Sequence, residues 1–262
     1  MTPHHNRAFR LALVLPLGLL AGYFLLLLGG QAPYLNGSTL RAELSSSTLL
    51  DAIRLSLVSA TIATLAALAF AVPAGYALAR LNFPGKRLLD TLLDLPVVLT
   101  PVALGTLILM ALNTPPGRFL HSLGLTLPFT VAGVIAAQFT VVVAMAVRML
   151  KASFEEISPR YEQVARLLGC SAGGSFLRVT LPLARRGIIA SFILCWARAI
   201  GEFGATVMVA GTARGQTATL PSSIYLAMSA ADLSRAVVLI LILILISFAV
   251  LFLVRLVGGR RP

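Results

Sequence analysis

Charge is scarce in this 262-residue chain: only 11% of its residues are Asp, Glu, Lys or Arg, under half the share usual in a soluble domain. That shortage excludes a water-solvated fold, which separates its apolar positions with polar ones at helical or strand period. Acidic residues are the rarest, nine against 21 Lys and Arg, and the resulting charge of +12 would suggest a nucleic-acid partner in a soluble protein. In a chain this apolar, the meaning of the charge depends on which loops carry it, and no nucleic acid is expected. Cysteine is nearly absent. Cys170 sits in a polar loop and Cys195 in an apolar segment, so no disulfide framework is expected. The three histidines, His4, His5 and His121, have no acidic residue beside them, so neither a metal site, nor a cofactor, nor a hydrolytic triad is expected.

Long apolar runs are what the chain has instead. Six can be drawn: roughly Phe9 to Leu28, Leu50 to Leu81, Leu88 to Leu112, Leu127 to Leu150, Ile188 to Gly211 and Ala236 to Val254. Each approaches or exceeds the ~20 residues that a spanning helix needs. A β-barrel would alternate polar and apolar residues over ~10-residue strands, and these runs do not alternate. The expected fold is therefore all-α, a polytopic membrane protein with about six transmembrane helices in one domain over 1–262, its core at about 49–254. The first run is longer than the ~7 to 15 residues of a signal-peptide core and no convincing cleavage site follows it, so it reads as an uncleaved helix.

Orientation follows from the basic residues. With the N-terminus inside, Arg7, Arg10, Arg80, Lys86, Arg87, Arg148, Lys151, Arg160, Arg166, Arg178, Arg185, Arg186, Arg255, Arg260 and Arg261 fall on the inner side. Only Arg41, Arg54, Arg118, Arg214 and Arg235 fall outside, and Arg198 stays within the membrane. This bias places both termini in the cytosol and the protein in the cell (inner) membrane as a multi-pass chain.

The longest inner connection, residues 151–187, reads as two short helices separated by glycines. Ser158 and Pro159 start the first, and Leu167, Leu168 and Gly169 end it. Ser171 can cap a second that runs through Val179 and stops at Leu181 and Pro182. Such a pair suits a mechanical contact with a soluble partner, and it also suits an ordinary interfacial loop. A phosphate-cradling G-x4-G-K-[ST] loop is missing, and the nearest run, Gly169 to Ser175, lacks the Lys. Any ATP-driven motor must be another polypeptide, and the chain is not expected to be an enzyme.

Polar groups inside the hydrocarbon are costly and usually face a partner helix or a cavity. In the fifth run Arg198 lies about ten residues, or ~15 Å, beyond Ile188, near mid-membrane, with Glu202 one turn further. At i,i+4 the two can neutralise each other as a scaffold pair. Arg198 can alternatively offer its planar donor fork to a tetrahedral oxyanion, which a carboxylate would repel. Gly201 and Gly204 permit close helix approach or a bend. Pro73, Pro96 and Pro101 interrupt helix hydrogen bonds, as gate elements or as static packing features.

Several of these residues carry a family resemblance. Gly169, Val179, Leu181 and Pro182 fit the G-x9-[IV]-x-L-P half of the EAA loop of ABC importer permeases. Counted back from Gly169, the Glu-Ala-Ala half falls on Gln163, Val164 and Ala165, with the acidic residue displaced to Glu162. The stretch from Ala197 to Gly211, which includes Thr206, resembles the corresponding helix of molybdate permeases, as do Thr219-Leu220-Pro221 and Ile224-Tyr225. Asp94 to Pro101 resembles the same family's third helix, with Thr100 standing where a second proline is usual.

The resemblance implies a homodimeric permease whose path is lined or gated by Pro96, Thr100, Pro101, Arg198, Gly201, Glu202, Gly204 and Thr206. It implies a coupling loop of Glu162, Gln163, Ala165, Gly169, Cys170, Ser171, Val179, Leu181 and Pro182. The implied partners are two copies of an ATP-binding subunit, an extracytoplasmic oxyanion-binding protein and the lipid bilayer. The implied cargo is molybdate, with tungstate, sulfate or thiosulfate as alternatives and a non-transporting membrane scaffold as the competing class.

Overall fold

The computed structural model describes residues 3–124 and 126–258, and all its regular elements are helical. Arg260 and Arg261, assigned to the inner charge set, lie outside the described residues. The first half comprises α1 (Pro3–Gly29), α2 (Gly37–Leu44), α3 (Ser47–Arg80), α4 (Lys86–Leu92), α5 (Leu95–Val98), α6 (Pro101–Leu112) and α7 (Pro115–Ser122). The second comprises α8 (Val131–Glu155), α9 (Arg160–Leu167), α10 (Ala172–Ser175), α11 (Leu181–Leu183), α12 (Arg185–Ile200), α13 (Gly204–Ala210), α14 (Leu220–Ser229) and α15 (Leu233–Gly258).

The centre of the bundle is α3 against α8, the most extensive helix contact in the chain. Small residues recur every fourth position on α3, at Ser59, Ala63, Ala67, Ala71 and Gly75, and all are buried. In lipid there is no hydrophobic drive between helices, so close backbone approach through small residues supplies the contact. At Gly75 the approach is close, since a Cβ there would lie 3.0 Å from the Lys151 amide nitrogen. Helices α12 and α13 complete the core against α3, α8 and α6. By contrast, no side chain of α1 from Phe9 to Leu28 is buried, which leaves that stretch facing outward.

Among the described residues four helices are individually long and apolar enough to cross a membrane, and two bent pairs bring the number up to six where each pair forms one span. The first bend falls beside Pro96 and Pro101, the prolines expected to interrupt a helix, and the second lies where the loop enters α12. The run from Leu88 to Leu112 is broken, with α4 and α5 meeting α6 at 116°. Pro101 forces the residue before it out of the helical region, and Thr100 is extended at φ −65°, ψ 146°. The Thr100 hydroxyl then accepts from the Ala103 amide at 3.3 Å, so it caps α6 with Pro101 at the first helical position. Threonine in place of a second proline therefore starts a helix cleanly.

The run from Ile188 to Gly211 is broken as well. Helix α12 ends at Ile200, α13 starts at Gly204, and Gly201 and Glu202 lie in the break. The second short helix of the loop also runs further than expected. A π-helical turn over Phe176–Thr180 joins α10 to α11, and the Leu181 amide donates to the Phe176 carbonyl. That widened turn precedes Pro182, whose ring cannot pack against a carbonyl four residues back. The chain then bends by 67° into α12.

Candidate coupling loop and transport path

The loop between α8 and α12 is fixed to the bundle by one carboxylate. Glu162 on α9 is 6% exposed. Its Oε2 accepts from the Tyr76 hydroxyl at 2.7 Å, and its Oε1 accepts from Thr180 Oγ1 at 2.8 Å and from Arg80 Nε at 3.2 Å. Arg80 also donates to the Ile157 carbonyl. Tyr76 packs its ring at 4.5 Å from Phe176 and 5.7 Å from Phe154, which shields the cluster from water. Burial by itself would raise the Glu162 pKa, but the donors Tyr76, Thr180 and Arg80 outweigh it and hold the carboxyl below its ordinary value. A buried carboxylate with three donors is fully satisfied.

This anchoring sets which face of α9 looks outward. Glu162 and Ala165 are buried, whereas Gln163 is exposed. The helix ends in a Schellman motif: Cys170 N–H donates to the Ala165 carbonyl, Gly169 N–H to that of Arg166, and Gly169 takes φ +92°. The turn leaves Leu167 and Leu168 standing 86% and 81% exposed at the tip. Ser171 caps α10 by accepting from the Gly174 amide at 3.1 Å. Val179 and Leu181 are half-buried, and Pro182 is exposed.

A second polar joint ties α4 and α5 to the end of α8. Lys151 Nζ lies 2.7 Å from Asp90 Oδ2, and Arg148 pairs with Asp94. The kinked segment after α5 is thus fastened to the helix that leads into the loop.

Beyond that joint lies a recess of about 180 Å³ lined by Pro96, Val97, Leu99, Pro101, Leu104, Val141, Met145 and Arg198. It brings together three of the proposed path residues, Pro96, Pro101 and Arg198. Glu202 backs Arg198: its Oε2 is 2.6 Å from Arg198 Nη1, and its Oε1 accepts from the Ala205 amide at 2.9 Å. Thr100 adjoins the recess as the α6 cap, and Gly201 is exposed in the break. Gly204 packs against α6, where a Cβ would lie 3.1 Å from both Pro101 and Val102 side chains. Thr206 is fully buried and does not reach the recess.

The decisive comparison covers most of this architecture: the family model described as "Binding-protein-dependent transport system inner membrane component" matches residues 71–261. The chain belongs to that family. A probable molybdenum ABC transporter permease protein of Haloferax volcanii is 37% identical over 241 residues, covering 92% of this chain and 87% of its own. The molybdenum transport system permease protein ModB of Escherichia coli K12 is 37% identical over 178 residues, 67% of this chain and 78% of its own. A sulfate transport system permease protein, CysW of the same strain, is 37% identical over 186 residues, 70% and 64%. Among solved structures, a bacterial alginate ABC transporter in complex with a pentasaccharide-bound periplasmic protein contains a chain of the same fold. The TM-score is 0.76 at 15% identity, covering 97% of this chain and 96% of that one.

In this binding-protein-dependent permease several supporting residues escaped the sequence reading. Tyr76, Arg80 and Thr180 come from distant segments, and nothing local marks them as partners of Glu162. Gln138 carried a usable signal, as the one amide inside the apolar α8. Fully buried, it donates from Nε2 to the Ala199 carbonyl at 3.1 Å, beside the break that holds Glu202.

Proposed function

We propose that this chain is the path-forming subunit of an importer for a tetrahedral oxyanion, molybdate foremost. Two copies enclose the path in the inner membrane with both termini in the cytosol. An extracytoplasmic binding protein delivers the anion, and two copies of a separate ATP-binding subunit supply the energy. The observation that carries this reading is the exposed apolar tip Leu167 and Leu168 on a helix fixed to α3 by Glu162. A protein that exposes two leucines beside arginines at a loop tip has a partner for them, and a rigid mount lets that partner move the bundle. Binding and release of ATP by the partner then shift the loop, and with it α3 and α8, between two packings.

The molybdate assignment is supported by relatives named for molybdenum transport over most of the chain. Sulfate is the second reading, supported by a sulfate permease of equal identity over a smaller share of its own length. The test is uptake of radiolabelled molybdate and sulfate by proteoliposomes holding the permease, its ATPase and its binding protein. ATP-dependent molybdate uptake that sulfate fails to compete supports the first reading. Uptake of neither anion removes the oxyanion assignment. Replacing Leu168 with Asp should also release the ATPase from the complex; an ATPase still bound at full stoichiometry would remove the docking role of the tip.

A further inference from the structure

We infer that Arg198 is an oxyanion contact inside the path, held ready by Glu202 and opening on the recess under Pro96 and Pro101. This rests on the oxyanion reading above and adds the group that meets the cargo.

The two members of the pair are not equivalent. Glu202 is 1% exposed at its side chain, and both its oxygens are engaged, one by Arg198 Nη1 and one by the Ala205 amide. Its charge is answered from two sides and turned away from the recess. Arg198 is 38% exposed, and among the described residues Glu202 is its one ion-pair partner. A guanidinium has five N–H donors in a rigid fork, so one bond to Glu202 leaves others available. A pure scaffold pair would be buried at both ends, because an open donor edge gains nothing in an apolar wall.

The wall around that edge is otherwise apolar. Pro96, Val97, Leu99, Leu104 and Met145 offer no competing donor side chain, so an entering anion finds a single charged contact. A volume of about 180 Å³ equals roughly six waters at about 30 Å³ each, room for one tetrahedral oxyanion with part of its hydration. One guanidinium already shared with a carboxylate binds a dianion weakly. A path requires that balance, attractive enough to admit the anion and too weak to retain it.

The test compares Arg198→Gln, Arg198→Lys and the double variant R198Q/E202Q in proteoliposomes with the ATPase and binding protein. The measurement is molybdate taken up per ATP hydrolysed, with thermal unfolding of each variant recorded alongside. Arg198→Gln leaves the Glu202 charge unanswered and can lose stability for that reason alone. The double variant replaces the ion pair with a neutral pair of nearly the same shape, so it isolates the contact from the scaffold.

The expected result is a stable double variant whose uptake per ATP falls at least tenfold, with Arg198→Lys retaining more uptake than either Gln form. Double-variant uptake within twofold of the parent overturns the contact, since a neutral scaffold would then suffice. A parent that hydrolyses ATP yet moves no oxyanion defeats the importer reading itself, an outcome distinct from failure of Arg198.

Discussion

The Tyr76 hydroxyl lies 2.7 Å from Glu162 Oε2 and donates to it, joining α3 to α9 across 86 residues of sequence. With Arg80 and Thr180 on the other oxygen, this carboxylate fixes the angle between a bundle helix and the exposed Leu167 and Leu168 tip. Glu162→Ala removes the shared acceptor and strands a guanidinium whose side chain is only 10% exposed. Breaking a buried pair from one side costs about 3–5 kcal/mol. Tyr76→Phe deletes a single hydrogen bond, worth about 1 kcal/mol. Thermal unfolding of the purified protein should rank Glu162→Ala well below Tyr76→Phe and the parent. Equal midpoints for Glu162→Ala and the parent would refute the anchor.

The same carboxylate gives a pH signature. Its folded pKa lies below the ordinary 4.5. The stability it adds is therefore fully present above about 4.5 and is lost as pH falls through the lower folded value. The gap in melting temperature between the parent and Glu162→Gln should stay constant from about pH 8 to about pH 6 and close progressively below about pH 4.5. A gap that widens on acidification contradicts the sign.

Gly169 tests a different property, backbone handedness without crowding. Its φ of +92° disfavours any L side chain, but a Cβ there would meet no atom within 4 Å. Gly169→Val pays the left-handed penalty of about 1–2 kcal/mol in full, while Asn tolerates that region better. Val should disturb the Leu167 and Leu168 tip, lowering both transport per ATP and the melting temperature, with Asn intermediate in both. Fully coupled transport by the Val variant would show that the turn does not matter to docking.

Gly105 lies where α6 crosses α13. A Cβ there would come 2.7 Å from Met208 Cβ and 2.8 Å from the Ala205 carbonyl oxygen, and backbone cannot move aside as a side chain can. Gly105→Ala should cost about 1–3 kcal/mol as overpacking and push α6 off α13. Its effect on melting should exceed that of Gly173→Ala, which meets nothing within 4 Å. Equal effects would mean the two helices are not in tight contact.

The membrane class, the all-helical fold and the pair of short helices after α8 were legible because each depends on composition or on local cap chemistry. Ser171 and Gly169 cap where expected, since capping needs only neighbours in sequence, whereas α9 starts one residue later than expected, at Arg160 with Pro159 as an uncapped N-cap. The two helix breaks were legible only in part: Pro96, Pro101, Gly201 and Gly204 marked where a helix can bend, not that it would break. Apolar runs from Leu88 to Leu112 and from Ile188 to Gly211 satisfy the length rule whether straight or bent, and Thr100 and Glu202 act as caps only once the bend exists. Glu162 illustrates the remaining gap. Motif spacing made it a displaced acid, whereas burial makes it an internal anchor whose partners at positions 76, 80 and 180 no local pattern could pair.

Gln138 separates stability from function. Its Nε2 holds the Ala199 carbonyl, which also accepts from the Glu202 amide at 3.1 Å, so one carbonyl joins α8 to the break between α12 and α13. Its Oε1 is buried without a partner. Gln138→Leu loses a hydrogen bond worth about 0.6 kcal/mol on average within a membrane and also removes that unsatisfied oxygen. The two effects oppose each other, and the melting temperature should barely move. The break loses its cross-link to α8, which frees Glu202 and Arg198 from their fixed register, so uptake per ATP should fall severalfold. Uptake equal to the parent in a variant of unchanged stability would show that the break keeps its shape without α8.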